Sequence, residues 1–310
     1  RILTAKPTGN SNADIWSQLK FIGATDRNFH QHQFTFTVVG GFKGRKSLYN
    51  INEDMLRAEI APHCYIAPDK YVKGFKRIYE PLRRIELPKA LSDKYLGIYH
   101  DLIVEISDDI EISAPIILTK YLRLQQISSG IAGDADGVQH NLLEIRHNPR
   151  IMAVRDILDE VTGKTIIACR FKKSISNLYE ALSPDYRVAT IVGGMEKEIP
   201  AIKKAFNEGD LDIIIGQCNV LAYGHTLTGP DSNPCLNMVH YERNFSLLDQ
   251  AQIECRPEKY ERSDVTVSHY DFYATEMDKH ILKALIKKED AATSLMGYAR
   301  DHGILNSTEL

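Results

Sequence analysis

Residues 164–217 read KTIIACRFKKSISNLYEALSPDYRVATIVGGMEKEIPAIKKAFNEGDLDIIIGQ. KTIIACRF is a short apolar strand, RVATIVGG a second and LDIIIGQ a third. Between them, KSISNLYEAL and EKEIPAIKKAFNEG carry apolar residues at helical spacing, and Gly209 ends the second helix. Strands joined through helices need long crossovers, which make neighbouring strands parallel and leave helices on both faces. The alternation extends outward. PRIMAVRDILDEV precedes it as a helix; LNMVHYE, LLDQAQIEC and DVTVSHYDFYA follow as strand, helix and strand, and EMDKHILKALIKKEDAATSL as a final helix. The expected fold is α/β, a parallel sheet with helices on both faces, spanning 148–310.

The first half is less regular. ADIWSQLKFI places Ile15, Trp16, Leu19 and Ile22 at helical spacing after the capping residues Asn10, Ser11 and Asn12. Residues 52–61 read as another helix. RRIELPKAL reads as an exposed strand closing at Pro88. SDKYLGIYHDLIVEI carries Tyr95, Leu96, Tyr99, Leu102 and Ile103 on one helical face, and a second helix runs from about Ala114 to Ser128. SGIAGDADGVQHN reads as a loop. Residues 86–147 are therefore expected to form a helical connector.

The 310 residues suffice for two ordinary domains, with 43% hydrophobic and 25% charged residues, the balance of a globular protein. A net charge of −3 gives no global bias toward nucleic acid, so any such binding must use a local face. No apolar run is long enough to span a bilayer, and no signal-peptide pattern is legible. Cys64, Cys169, Cys218, Cys235 and Cys255 are scattered without C-x-x-C spacing. That pattern points to a reducing compartment, the cytoplasm (a host's, for a viral protein). It also argues against structural zinc; His30 and His32 form an H-x-H that alone is a weak metal signal, and no metal site is expected.

FTFTVVGGFKGRKS, Phe34 to Ser47, resembles a phosphate-binding loop: alternation, glycines, then a lysine and a serine. The register fails, because Arg45 separates Gly44 from Lys46, and SLYNINEDML does not continue directly as a helix. The stretch reads as a strand ending in a solvated basic loop.

Ligands in parallel α/β sheets bind at the carboxyl ends of strands. Three such places are chemically distinctive: IVGGM, with Gly193 and Gly194; IIIGQCNVLAYGHTLTG; and NFSLLDQAQIECRPEK. In the last, Gln252 and Arg256 are four apart and share a helical face, with Lys259 beyond. A polar and cationic face suits an anionic ligand. A surface ion-pair network with Glu254 and Glu258 explains the same residues equally well.

The series of segments resembles the Swi/Snf-type branch of the superfamily-two helicases and translocases, especially the compact form found in phages. ILTAKPTGNSNADIWSQLKFI is similar to the motif L-T-G-T-P-x-x-N-x-x-x-D-L-W-S. The segment ending in Leu87-Pro88-Lys89-Ala90 is similar to one ending in L-P-x-K. YLRLQQISSG, NPRIMAVRDIL, KTIIACRF and IVGG run in family order. GHTLTG matches the core of motif V, and FSLLDQAQIECRPEK aligns with motif VI, Q-x-x-x-R-x-x-R.

The resemblance implies a RecA-like second lobe at 148–310, a helical connector at 86–147, and at 1–85 a remnant of the first RecA-like lobe with its following insertion. It implies ATP with Mg2+ as cofactor, DNA as partner, and a first lobe that carries the phosphate loop and metal-binding motif. Since the chain opens in mid-pattern at Arg1, it is expected to be the C-terminal portion of a longer enzyme, unable to hydrolyse ATP alone. Gly224, Gln252 and Arg256 are the implied nucleotide-facing residues, and Arg256 and Lys259 the catalytic cations. An arginine in that role is worth a factor of ~10³–10⁵. Arg170, Phe171, Gly194, Thr226 and Thr228 match positions that touch nucleic-acid phosphates, contacts that fix position and carry no base code. The departures are Lys259 for the second arginine, Leu221-Ala222 for a Gly-Gly, and Ala5-Lys6 for a Gly-Thr. They favour, as the rival reading, a degenerate lobe that binds DNA or assembles without hydrolysing.

Overall fold

The computed structural model describes residues 11–40, 46–64, 76–107, 122–134, 137–243, 246–258 and 265–274. Two compact units are present. The first takes in the described residues from Ser11 to Cys64, the second those from Lys76 to Arg243 and from Asp249 to Ala274.

The first unit is small and mostly helical. Ser11 and Asp14 form a capping box that starts a 3-10 turn, Asn12–Ile15, which runs into α1 (Trp16–Phe21). Then come α2 (Phe29–Phe36), the antiparallel strands β1 (Thr37–Gly40) and β2 (Lys46–Asn50), and α3 (Glu53–Ile60). Ile15, Leu19, Phe36, Leu56 and Ile60 form its core. The strand expected from Phe34 begins only at Thr37. A capping box between Asn28 and Gln31 makes the preceding residues helical, burying Phe36 and leaving Phe34 61% exposed. Lys46 and Ser47, the apparent end of a phosphate loop, lie in strand β2.

The second unit is built on a parallel sheet. Its strands are β3 (Lys76–Tyr79), β4 (Arg83–Arg84), β7 (Lys164–Cys169), β8 (Val188–Ile191), β9 (Ile213–Gln217), β10 (Cys235–His240) and β11 (Thr266–Tyr273). The order across the sheet is β3-β11-β10-β7-β9-β8, and β4 also pairs with β11. Every pairing is parallel. A separate antiparallel hairpin, β5 (Ile131–Gly133) and β6 (Gln139–Asn141), lies within the segment read as a loop. The helices are α4 (Lys89–Ser107), α5 (122–128), α6 (Pro149–Glu160), α7 (Lys172–Leu182), α8 (Ile199–Glu208), α9 (Cys218–Leu221) and α10 (Leu247–Glu254).

Period-two alternation sorts the strand residues onto two faces. Ile167, Cys169, Ile213, Ile215, Val239, Tyr270 and Phe272 face one way, against Val154 and Ile157 of α6 and Ile175 and Leu178 of α7. Ile166, Ala168, Ile214, Met238 and Val267 face the other, against Phe206 of α8, Leu221 of α9 and Ile253 of α10. The helices expected between strands are thus present on both faces. Asn148 caps α6 by accepting from the Arg150 and Ile151 amides, with Pro149 in the first turn. Gly209 stops α8 at φ +109°, a backbone state that suits glycine.

The sheet also recruits sequence from far upstream. β3 and β4 run along the outer edge of β11, with the chain stepping out around Pro81 between them. Leu91 and Tyr95 of α4 pack with Leu124 and Ile127 of α5. The expected final helix and Lys259 lie outside the described residues. Among the described residues, no helix is long and apolar enough to cross a membrane.

Candidate functional site

Three of the expected nucleic-acid residues gather at the carboxyl edge of the sheet. Arg170 and Phe171 form the turn from β7 into α7, and Gly194 follows β8. The amides of a helix N-terminus attract an anion. Here Glu242, buried just beyond β10, supplies it. The amides it takes are those of the turn before α7: its Oε2 accepts from the Arg170 and Phe171 amides at 2.9 and 3.0 Å, and its Oε1 from Ser174 Oγ at 2.6 Å, while the first-turn Lys173 amide goes to Gln139 Oε1. The Arg170 guanidinium donates to Gln125 Oε1, and Gln125 Nε2 donates to the Arg243 carbonyl at 3.1 Å. Phe171 is buried. Gly194 is exposed, has φ +98°, and donates its amide to Glu196 Oε1 at 3.1 Å. Lys172 Nζ reaches the Gly193 carbonyl at 3.5 Å.

A second group centres on the loop 222–229. Arg256, at the exit of α10, spends its whole guanidinium on this region. Nε donates to the Gln252 carbonyl at 2.7 Å, Nη1 to the His225 carbonyl at 2.8 Å and Nη2 to the Ala222 carbonyl at 2.9 Å. In return the Leu227 amide donates to the Arg256 carbonyl at 2.9 Å. Burial holds the Arg256 guanidinium below the usual arginine range. From the other side, Asn207 of α8 donates to the Thr226 carbonyl at 2.9 Å and accepts from the Thr228 and Gly229 amides at 3.0 and 3.1 Å. Gly224, at φ +62°, accepts from Lys203 Nζ at 3.1 Å. The loop is thus held along its backbone, leaving Tyr223, Gly224 and Thr226 exposed.

Thr228 is buried, and its hydroxyl donates to the Gly229 carbonyl at 3.3 Å. Its carbonyl accepts from the Cys235 amide at the start of β10, where the Pro234 carbonyl takes the first amide of β7. Thr228 therefore stands at the amino edge of the sheet. Arg170, Phe171 and Gly194 stand at the opposite end, a strand length of roughly 17–20 Å away. The structure joins Gly224, Gln252 and Arg256 into one cluster, and separates Thr228 from the other expected phosphate contacts. Gln252 is half-buried, and the Arg256 bond goes to its carbonyl.

A third polar cluster escapes sequence reasoning. His240 of β10, His269 and Asp271 of β11, and Gln250 and Glu254 of α10 are all buried together on the α10 face of the sheet. Arg243 forms a two-bond pair with Asp271 at 2.5 and 2.6 Å, and Arg77 of β3 pairs with Glu258 at 2.5 Å. Glu254 accepts from Gln250 Nε2 at 2.7 Å and from the Tyr79 hydroxyl at 3.0 Å. Burial pushes the Glu254 carboxyl up, but Arg243 and these hydrogen bonds outweigh it and hold it below the usual range. Burial pushes His269 down to about 4 and His240 well below the ordinary imidazole value, so both rings are neutral. These residues come from two strands and a helix and share no local spacing. The legible signal was only that His240, His269 and Asp271 fall on the inward phase of two apolar strands.

The C-terminal part of the Fun30 ATPase domain has a similar fold, with a TM-score of 0.54 and 11% identity, over 74% of this chain and 98% of that one. Two further solved structures match: the C-terminal domain of a Sulfolobus solfataricus SWI2/SNF2 ATPase (TM-score 0.48, 16% identity, 69% and 87% of the two chains) and that of the DEAD-box protein Dbp5 (0.39, 20%, 46% and 79%). At 11% identity the likeness to the Fun30 part establishes the fold alone, an α/β RecA-like one. No protein-family model matches the sequence, and no curated protein matches it.

Proposed function

We propose that the chain is the C-terminal portion of an ATP-dependent DNA helicase or translocase. In this reading the second unit is the second RecA-like lobe. It works with a first lobe that brings the phosphate loop and the Mg2+ ligands, and ATP lies between them. The observation that carries the reading is the fold, in which 74% of the chain matches 98% of the Fun30 C-terminal part, together with the family order of the sequence motifs. The residues present suit a supporting wall of a nucleotide site. Gly224, Gln252 and the loop pinned by Arg256 offer an ordered polar surface, and Lys203 puts a cation beside it. Mg2+ when bound would shield phosphate charge, with its ligands on the first lobe. On the carboxyl edge, Lys172 and the exposed Gly194 backbone suit phosphate contact without base readout.

One observation favours a second reading, a lobe that binds or assembles without hydrolysing. Arg256, the motif-VI cation, has three backbone carbonyls as its partners, and Glu242 already takes the Arg170 and Phe171 amides. One experiment separates the two. The chain is mixed with a first-lobe polypeptide from a Swi/Snf-type enzyme, and DNA-stimulated phosphate release is measured beside fluorescence-anisotropy titrations of DNA at several salt concentrations. Turnover supports the enzyme; salt-sensitive binding without turnover supports the silent lobe. Absence of both, or binding that ignores salt, refutes the proposal, because phosphate contacts release counterions and weaken steeply as salt rises.

A further inference from the structure

We propose that His240, Glu254 and His269 form a binding site for one divalent transition-metal ion of the zinc type, stapling α10 to β10 and β11. The three side chains come from three elements, and one ligand atom from each lies within 4.8 Å of the others. His240 Nε2 is 3.2 Å from His269 Nδ1 and 3.9 Å from Glu254 Oε1. Two ligands of a tetrahedral zinc ion stand ~3.3–3.4 Å apart, given metal–ligand bonds near 2.0–2.1 Å. The existing separations bracket that value, so small side-chain rotations complete the set.

The chemistry of the donors is also right. Ions of the zinc type take imidazole and carboxylate ligands. Both histidines and Glu254 are buried. Around them, Arg243 is matched by Asp271 and Arg77 by Glu258. Glu254 lies 3.6 Å from Arg243 and 3.7 Å from Arg77, each of which has its closer partner in Asp271 or Glu258. Three buried carboxylates thus share two guanidinium groups, and the side facing the two imidazoles is an environment that a small cation stabilises. Gln250 Nε2 lies 3.3 Å from His240 Nδ1, so the amide donates there and the His240 proton sits on Nε2, aimed at His269 Nδ1.

Coordination exchanges the shared proton for the ion. The His240 proton moves from Nε2 to Nδ1, and the Gln250 amide turns its oxygen to accept it, a supporting contact of the kind that orients metal-bound histidines. The 2.7 Å bond from Gln250 to Glu254 is given up as that carboxylate turns to the ion, and the proton stays on His240.

The test uses the whole chain, stripped with a chelator and titrated with Zn2+ and with Co2+. One ion per chain is expected, with a Co2+ absorption spectrum of tetrahedral nitrogen and oxygen ligation and a rise in thermal midpoint. His240→Gln, Glu254→Gln and His269→Gln should each weaken binding by at least about tenfold, in line with loss of a ligand. An anomalous-scattering peak between the three side chains in zinc-soaked crystals would place the ion without recourse to variants. Wild-type chain that retains no Zn2+ after desalting overturns the proposal. So does a Co2+ spectrum with sulfur charge-transfer bands, or Zn2+ binding that all three folded variants keep. None of these outcomes bears on ATP turnover or DNA binding, so the site stands or falls apart from the functional reading.

Discussion

Replacing Arg256 with alanine separates two roles for one residue. A cation kept for a transferred phosphoryl group contributes nothing to folding, and deleting it leaves stability unchanged. In the structure Arg256 instead donates to the carbonyls of Gln252, His225 and Ala222, and Ala222 is fully buried. A hydrogen bond from a charged donor contributes ~1.5–3 kcal/mol when buried. Arg256 is only half-buried, so water can replace some of each bond in the variant. Taking the low end and discounting for solvent access gives a loss of about 3 kcal/mol. For a unit of this size that lowers the thermal midpoint by roughly 6–12 °C. Arg256→Lys should recover no more than about a third, since an ammonium has no planar fork to span three carbonyls. The assay is thermal unfolding of the isolated chain followed by circular dichroism, with urea unfolding as a check. Arg256→Ala melting within about 2 °C of wild type would refute the clamp and return Arg256 to the pool of free cations.

Three further outcomes follow from the geometry. Glu242→Ala should cost about 1–3 kcal/mol in urea unfolding, because it leaves the Arg170 and Phe171 amides and the Ser174 hydroxyl without their acceptor; no change would mean that these donors are satisfied otherwise. Thr226→Ala should alter DNA affinity without altering stability, and Thr228→Ala the reverse, because Thr226 is exposed and Thr228 buried. Paired melting and anisotropy measurements check this, and a swap of the two effects would reverse the assignment. Burial, with Lys203 nearby, lowers the His225 imidazole below its ordinary value. The unfolded chain then binds the extra proton first, so its contribution to stability declines as pH falls below about 6.5 and is unchanged above it. His225→Gln should flatten that part of a stability–pH curve, and an unaltered slope would exclude His225 as a source.

The sheet was legible where sequence period and burial agree. Ile166 and Ile167, then Ile213, Ile214 and Ile215, are buried on alternate faces, and a continuous apolar run is what a strand covered on both sides requires. Gly209 marked the end of α8 because a positive φ there has few other solutions. The first unit misled because Phe34-Thr35-Phe36 alternates like a strand, while a cap six residues upstream decides for helix. β3 and β4 carried little signal: they are short, exposed, and defined by partners near the other end of the chain. At the site, motif VI located Arg256, Gln252 and their loop as neighbours. It could not show that the loop's carbonyls claim the guanidinium, or that Glu242 takes the Arg170 and Phe171 amides, since both depend on contacts between residues far apart in sequence.

The outer edge of the sheet pairs Lys76–Tyr79 with Thr266–His269, so the chain must grow by about 190 residues between making one strand and making its neighbour. At translation rates of roughly 5–20 residues per second, that interval is on the order of 10–40 s. Throughout it β3 has no partner strand, and β10, once made, presents an open apolar edge. A ribosome that stalls before Thr266 therefore releases a chain with two strand edges ready to pair with another copy. Completion of β11 closes both at once. The last described strand is thus the step that turns a nascent, aggregation-prone sheet into a finished one, and the one on which a chaperone holding the nascent chain has most to wait for.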